Sequence, residues 1–314
     1  MENLIFCFNV TIPVFLTMVL GMAFKYFHIF HEDFVKKINA FVFSVALPVL
    51  LFNDLSRVDF FSVWDTRFVL FCFFATLLSI LCSYLVSTRL PNKAIQGEFV
   101  QSSYRSSAAI LGIALIENIY GHSTIAPLMI FASVPLYNIM AVVVLSFLRA
   151  DRESMHKEIM IKTAKDIATN PIILGILAGF LWSILKIPQP VIMQKTLNNL
   201  SVLATPLGLM AMGGSFTWKK AEGYVKPALL CSFLKLIAFV AIFLPIALAL
   251  GFTQEKIVAI LIMLGSATTV SCFIMAKNMG HDGTLSSTVV MLTTLCSAFT
   301  LTFWLFLLKS MAYI

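Results

Sequence analysis

Gln101-Ser-Ser-Tyr-Arg-Ser-Ser107 lies inside an otherwise apolar run, 98–120, and Gly265-Ser-Ala-Thr-Thr-Val-Ser271 lies inside another, 257–277. Small hydroxylated side chains can bond their own backbone carbonyls or replace missing backbone partners, so both stretches are predicted to tolerate an unwound turn within a membrane helix. Interruptions at matching places in two halves of a chain point to a midplane solute site, because exposed half-helix ends can bind charged groups. The plainer reading is close helix packing, which uses the same small residues.

The two stretches sit in matching halves. Pro13-Val-Phe-Leu followed by Gly21 is repeated as Pro171-Ile-Ile-Leu followed by Gly179, an offset of 158. Lys37 with Ala46-Leu-Pro48 is repeated at that offset as Lys195 with Ala204-Thr-Pro206, and Tyr120-Gly121-His122 returns as Met279-Gly280-His281 at 159. Landmarks in three helices therefore keep one register. Apolar runs fall near 4–24, 35–52, 68–87, 98–120 and 125–148, then near 171–185, 197–216, 227–250, 257–277 and 285–308. Five spans per half means that the second copy enters the membrane from the opposite side, the arrangement of inverted-repeat transporters. The expected units are 1–149, a cytoplasmic loop 150–169, and 170–314.

Composition supports a membrane chain. Of 314 residues, 60% are hydrophobic and 12% charged, against roughly 45–50% and 25% in soluble domains. The first run is expected to be a retained span, because Asn9, Pro13 and Gly21 interrupt it and further apolar runs follow. Fourteen Lys and Arg flank the odd-numbered loops and six the even loops and C-terminus, with Arg105 and Lys235 inside spans. Cytoplasmic flanks carry the excess, so both termini are expected outside the cell membrane.

Other chemistry finds little support. The six cysteines are scattered without metal spacing, and no HExxH or P-loop occurs. All five histidines fall between spans, and no basic stripe suited to nucleic acid stands outside the apolar segments. An enzyme is not expected, nor a cofactor, and energy would come from gradients.

Leu111-Gly-Ile-Ala-Leu-Ile-Glu-Asn-Ile-Tyr-Gly121 resembles the fourth-span motif of the auxin efflux carrier family. Phe273-Ile-Met-Ala-Lys277 with His281-Asp282, Ala46-Leu-Pro48 and Pro135-Leu-Tyr-Asn138 add matches, so the resemblance runs essentially end to end. It implies an all-α fold of ten transmembrane helices in two inverted five-helix repeats, with helices four and nine broken and crossing, as in sodium/bile-acid symporters. It also implies a scaffold of spans one, two, six and seven, through which a homodimer forms, and a moving bundle of the other six. Bacterial members are described as malate or malonate permeases, and the short central loop is closer to theirs. The family's crossover prolines are replaced here by Ala114, Ala267 and Cys272, and an Asn frequent early in the fourth span is Ser107.

Lys235 lies deep in the eighth span, where an ionisable group is a functional candidate by default. It would attract a carboxylate or hold backbone carbonyls. Arg105 is expected on an access path for anions, or snorkelling to headgroups. By family match, Tyr137 and Asn138 line the substrate pocket; Ser107, Gly112, Thr268, Thr269 and Ser271 would supply hydroxyls and backbone groups at the crossing. Glu117, Asp54 and Asp65 are expected near the outer interface, where any of them could instead bind a coupling proton. The leading expectation is a secondary carrier for a small organic anion, a mono- or dicarboxylate. The alternatives are a sodium- or proton-coupled antiporter of the same architecture, and a membrane sensor that does not translocate its ligand.

Overall fold

The computed structural model describes residues 2–57, 64–148, 165 and 167–314. Among them every regular element is helical. The chain forms α1 (Glu2–Tyr26), α2 (Glu32–Ser56), α3 (Thr66–Ser87), α4 (Gln96–Tyr104), α5 (Ala108–Tyr120) and α6 (Ala126–Phe147). It continues through α7 (Pro171–Ile184), α8 (Val191–Val202), α9 (Ala204–Ser215), α10 (Trp218–Ala249), α11 (Glu255–Gly265), α12 (Ser271–Asn278) and α13 (Thr284–Ser310). Five of these, α2, α3, α6, α10 and α13, are long and apolar enough to cross a membrane.

The outward faces of the long helices are apolar, and hydroxyl side chains are buried among the apolar residues of the interior. On α3, Thr76, Ser79 and Ser83 are buried while Leu70, Phe74, Leu78, Leu81 and Leu85 form an outward stripe at helical spacing. On α13, Ser286, Thr293, Thr294 and Ser297 point inward and Phe299, Phe303 and Phe306 outward. In hydrocarbon an apolar surface costs nothing, and hydroxyls must bond within the protein. Ser79 and Ser83 do so by donating to Ala75 O and Ser79 O, each at 2.7 Å.

The sequence pattern differs from the helices at one place of interest. The run 197–216 divides at Leu203 into α8 and α9. Pro206 has no N–H to give to Val202 O, so the turn opens there. Two π-helical turns, Val42–Ala46 within α2 and Leu234–Ala238 within α10, shift the faces that follow them.

Glycines set the tightest packing. α1 lies along α9, where a Cβ on Gly21 would stand 2.2 Å from Met210 O and one on Gly213 would stand 2.0 Å from Met18 O. The end of α2 lies along α7, where Gly175 faces Pro48 and Gly179 faces Phe52 and Leu55. α6 is the most enclosed of the long helices, with 72% of its apolar window buried, and lies against α3 and α4.

Candidate functional site

Two breaks meet at the centre. α4 stops at Tyr104, residues 105–107 leave the helical path, and α5 starts at Ala108; α11 stops at Gly265 and α12 starts at Ser271. An interrupted helix leaves carbonyls and amides without intrahelical partners. Here each break supplies the other. Ser107 N–H donates to Ala267 O at 2.9 Å, and Thr268 Oγ1 donates to Ser102 O at 2.9 Å. Met263 O accepts from Tyr137 OH at 2.9 Å and from Ser106 Oγ, and Thr268 N–H donates to Thr293 Oγ1 at 3.0 Å.

Lys235, on the π turn of α10, is fully buried. Its ammonium donates to Leu264 O at 2.8 Å, to Tyr104 O at 3.2 Å and to Ser106 Oγ. It thus neutralises the negative C-terminal ends of both first half-helices. Of its two expected roles, it is the holding of carbonyls that the geometry displays; Lys235 lines neither cavity described below.

Arg105 does not snorkel to the surface. It is 2% exposed and sits at the break itself. Nη2 donates to Asn138 Oδ1 at 2.7 Å and to Ser271 Oγ at 2.8 Å, and Nη1 to Met275 Sδ at 2.7 Å. Nε–H has no partner, and no carboxylate forms a salt bridge with the guanidinium among the described residues. An uncompensated buried cation beside two helix N-termini, those of α5 and α12, is a strong attractor for an anion.

Arg105 lines a cavity with about 610 Å³ of empty space, its open mouth included. Five of the expected site residues share it: Ser107, Tyr137, Asn138, Thr269 and Ser271. Leu47, Leu50 and Leu51 of α2 form an apolar wall. Thr268 instead lines a second cavity beside the two breaks, with Thr11, Thr205 and Thr294; Ser107, Thr205, Thr269 and Val270 border both. Gly112 falls in α5 within 109–113, whose side-chain surroundings lie outside the described residues.

Two groups, Thr205 and Glu98, escaped the sequence reading, and Asp54 gains a specific setting. Asp54, expected at the outer interface, lines the Arg105 cavity. Thr205 is placed there by its position just before Pro206, at the start of α9. Glu98 is 1% exposed and accepts from Gly283 N–H and Ser286 N–H, both at 2.9 Å, so it caps α13 from another helix. An acid at the head of a broken span was the available signal for the last. No cluster of three or more His, Cys, Asp or Glu suited to a metal occurs among the described residues.

The sequence model of a family described as "Membrane transport protein" matches residues 6–305. The chain is also 27% identical over 301 residues to a protein of Rhizobium meliloti (strain 1021) named "Putative malonate transporter", covering 87% of each.

Proposed function

Because the chain belongs to the membrane transport protein family, we propose that it is a secondary carrier for a small organic anion, a mono- or dicarboxylate of the malonate or malate kind. The observation that carries this reading is the buried Arg105, its Nε–H unpartnered, beside two helix N-termini in a cavity. Asn138 and Ser271 hold the guanidinium in place, and the hydroxyls of Ser107, Tyr137 and Thr269 complete a polar lining. A carboxylate there would meet a fixed charge without an ordering cost to the side chain.

The proposed architecture is ten spans in two inverted units, 1–149 and 170–314, joined by the cytoplasmic segment 150–169, with both termini outside. Paired contacts support it. Gly21 packs on Met210, and Gly179 on Phe52; the 158-residue offset relates 21 to 179 and 52 to 210. Likewise Glu98, near the start of α4, caps α13, while Glu255, at the start of α11, accepts from Ile125 N–H before α6 at 2.6 Å. Each broken span thus holds the fifth helix of the other unit. Solute would pass by alternating exposure of the cavities on the two faces of the crossing.

Uptake of radiolabelled malonate, malate, acetate and indole-3-acetate into proteoliposomes, under imposed proton, sodium or voltage gradients, tests the assignment. Saturable uptake of at least one acid is expected. No uptake of any acid under any gradient would remove it and favour a sensor.

A further inference from the structure

The Arg105 cavity contains a second ionisable group that the anion-carrier reading does not use. Asp54 is half-buried on α2 and makes no hydrogen bond or salt bridge among the described residues. Its neighbours are few. Arg57, which caps the C-terminal end of α2, acts on Asp54 through space. From the crossing comes Arg105, and from α6 the Tyr137 hydroxyl, which is already donating to Met263 O. α7, packed along this part of α2, carries no titratable side chain, and α8 offers only the exposed Lys195. The cavity therefore has one cationic and one acidic pole, both with unused hydrogen-bonding capacity.

Resting on the carboxylate-carrier reading, we propose that Asp54 and Arg105 are the two ends of one dicarboxylate site, and that the substrate is taken with one proton. One carboxylate of the ligand accepts from Arg105 Nε–H. The other end, still a carboxylic acid, donates its O–H to the Asp54 carboxylate, so a single proton lies between two carboxyl groups. A fully ionised ligand would set two like charges in contact at that end, which such a site disfavours strongly. The proton crosses with the solute and is released with it. Because Asp54 belongs to α2 and Arg105 to the crossing, the ligand also ties these two bodies together while bound.

The consequence is a pH dependence that belongs to Asp54 and not to the solute alone. With malonate as the probe, half-saturation of uptake by the full-length protein in proteoliposomes should rise about tenfold per pH unit once both the ligand's second carboxyl and Asp54 have lost their protons, one proton then being linked to binding. In Asp54→Asn the amide can donate to an ionised carboxylate, so the slope should flatten; Asp54→Glu should restore it. Gel filtration establishes that each variant is folded. An Asn variant with the wild-type slope would overturn the proton-sharing site while leaving the carrier reading intact. Absence of malonate uptake by folded wild-type protein would count against both.

Discussion

Replacing single glycines by alanine along the two tight helix pairs should give a graded loss of stability that follows the space at each Cβ. At Gly213 and Gly21 the added carbon would lie 2.0 and 2.2 Å from Met18 O and Met210 O. Both obstructing atoms are main chain, so α1 and α9 would have to separate by about an ångström, and overpacking of this kind costs about 1–3 kcal/mol or more. At Gly175 the nearest atom, Pro48 O, is 2.6 Å away, and at Gly179 the nearest, Leu55 Cβ, is 3.0 Å away. Those two should suffer less, in that order. At Gly208 the nearest atom is Ile274 Cγ1 at 3.5 Å, an ordinary contact, and alanine regains up to about 1 kcal/mol of helix preference. Taking about 2–4 °C per kcal/mol, Gly213→Ala and Gly21→Ala should lower the melting temperature in detergent by roughly 5–10 °C, and Gly208→Ala should hold or raise it. Thermal ramps followed by fluorescence-detected gel filtration read this order directly. A flat series, or Gly208→Ala as the most damaging change, would refute the packing of α1 on α9.

Lys235→Met should destabilise the crossing by about 2 kcal/mol: two backbone carbonyls lose their donor at about 1–3 kcal/mol each, partly offset by removing a buried charge. The same thermal assay reads it. Glu98→Gln retains one acceptor oxygen for two amides at the head of α13 and should cost about 1–3 kcal/mol, seen as faster hydrogen exchange at Gly283 and Ser286. Asp65, just outside the start of α3, is held below the usual carboxylate range, first by the hydrogen bond from Lys256 at 2.6 Å and next by the Phe68 amide, against the opposing effect of burial. A depressed carboxyl adds stability above its unfolded value, about 3.9, and loses it as pH falls through the lower folded value. The advantage of wild type over Asp65→Asn should therefore persist at pH 5–7 and shrink below about pH 4 in melting curves taken across that range.

Much of the fold could be read because the bilayer restricts what a chain can do. Span lengths and the Ser/Thr/Gly interruptions at 101–107 and 265–271 mark helices and breaks without any knowledge of packing. Tyr137 and Asn138 were candidates by resemblance, and both line the Arg105 cavity beside the breaks. Arg105 was harder. Whether an arginine near a helix end reaches outward or inward depends on where the helix stops, and α4 stops one residue before it. Lys235 was evident as a buried cation, but its partners, Tyr104 O and Leu264 O, exist as free carbonyls only because two helices break at one point. Asp54 was legible as an acid near the end of its span, but its place beside Arg105 depends on how α2 packs against the broken helices.

Equilibrium binding of malonate to purified protein, wild type beside Arg105→Gln, tests the anion site most directly. Loss of a charge-assisted hydrogen bond worth about 1.5–3 kcal/mol should weaken binding by about tenfold to a hundredfold, with the variant still folded by gel filtration. Wild-type affinity in Arg105→Gln would contradict a site built on this arginine.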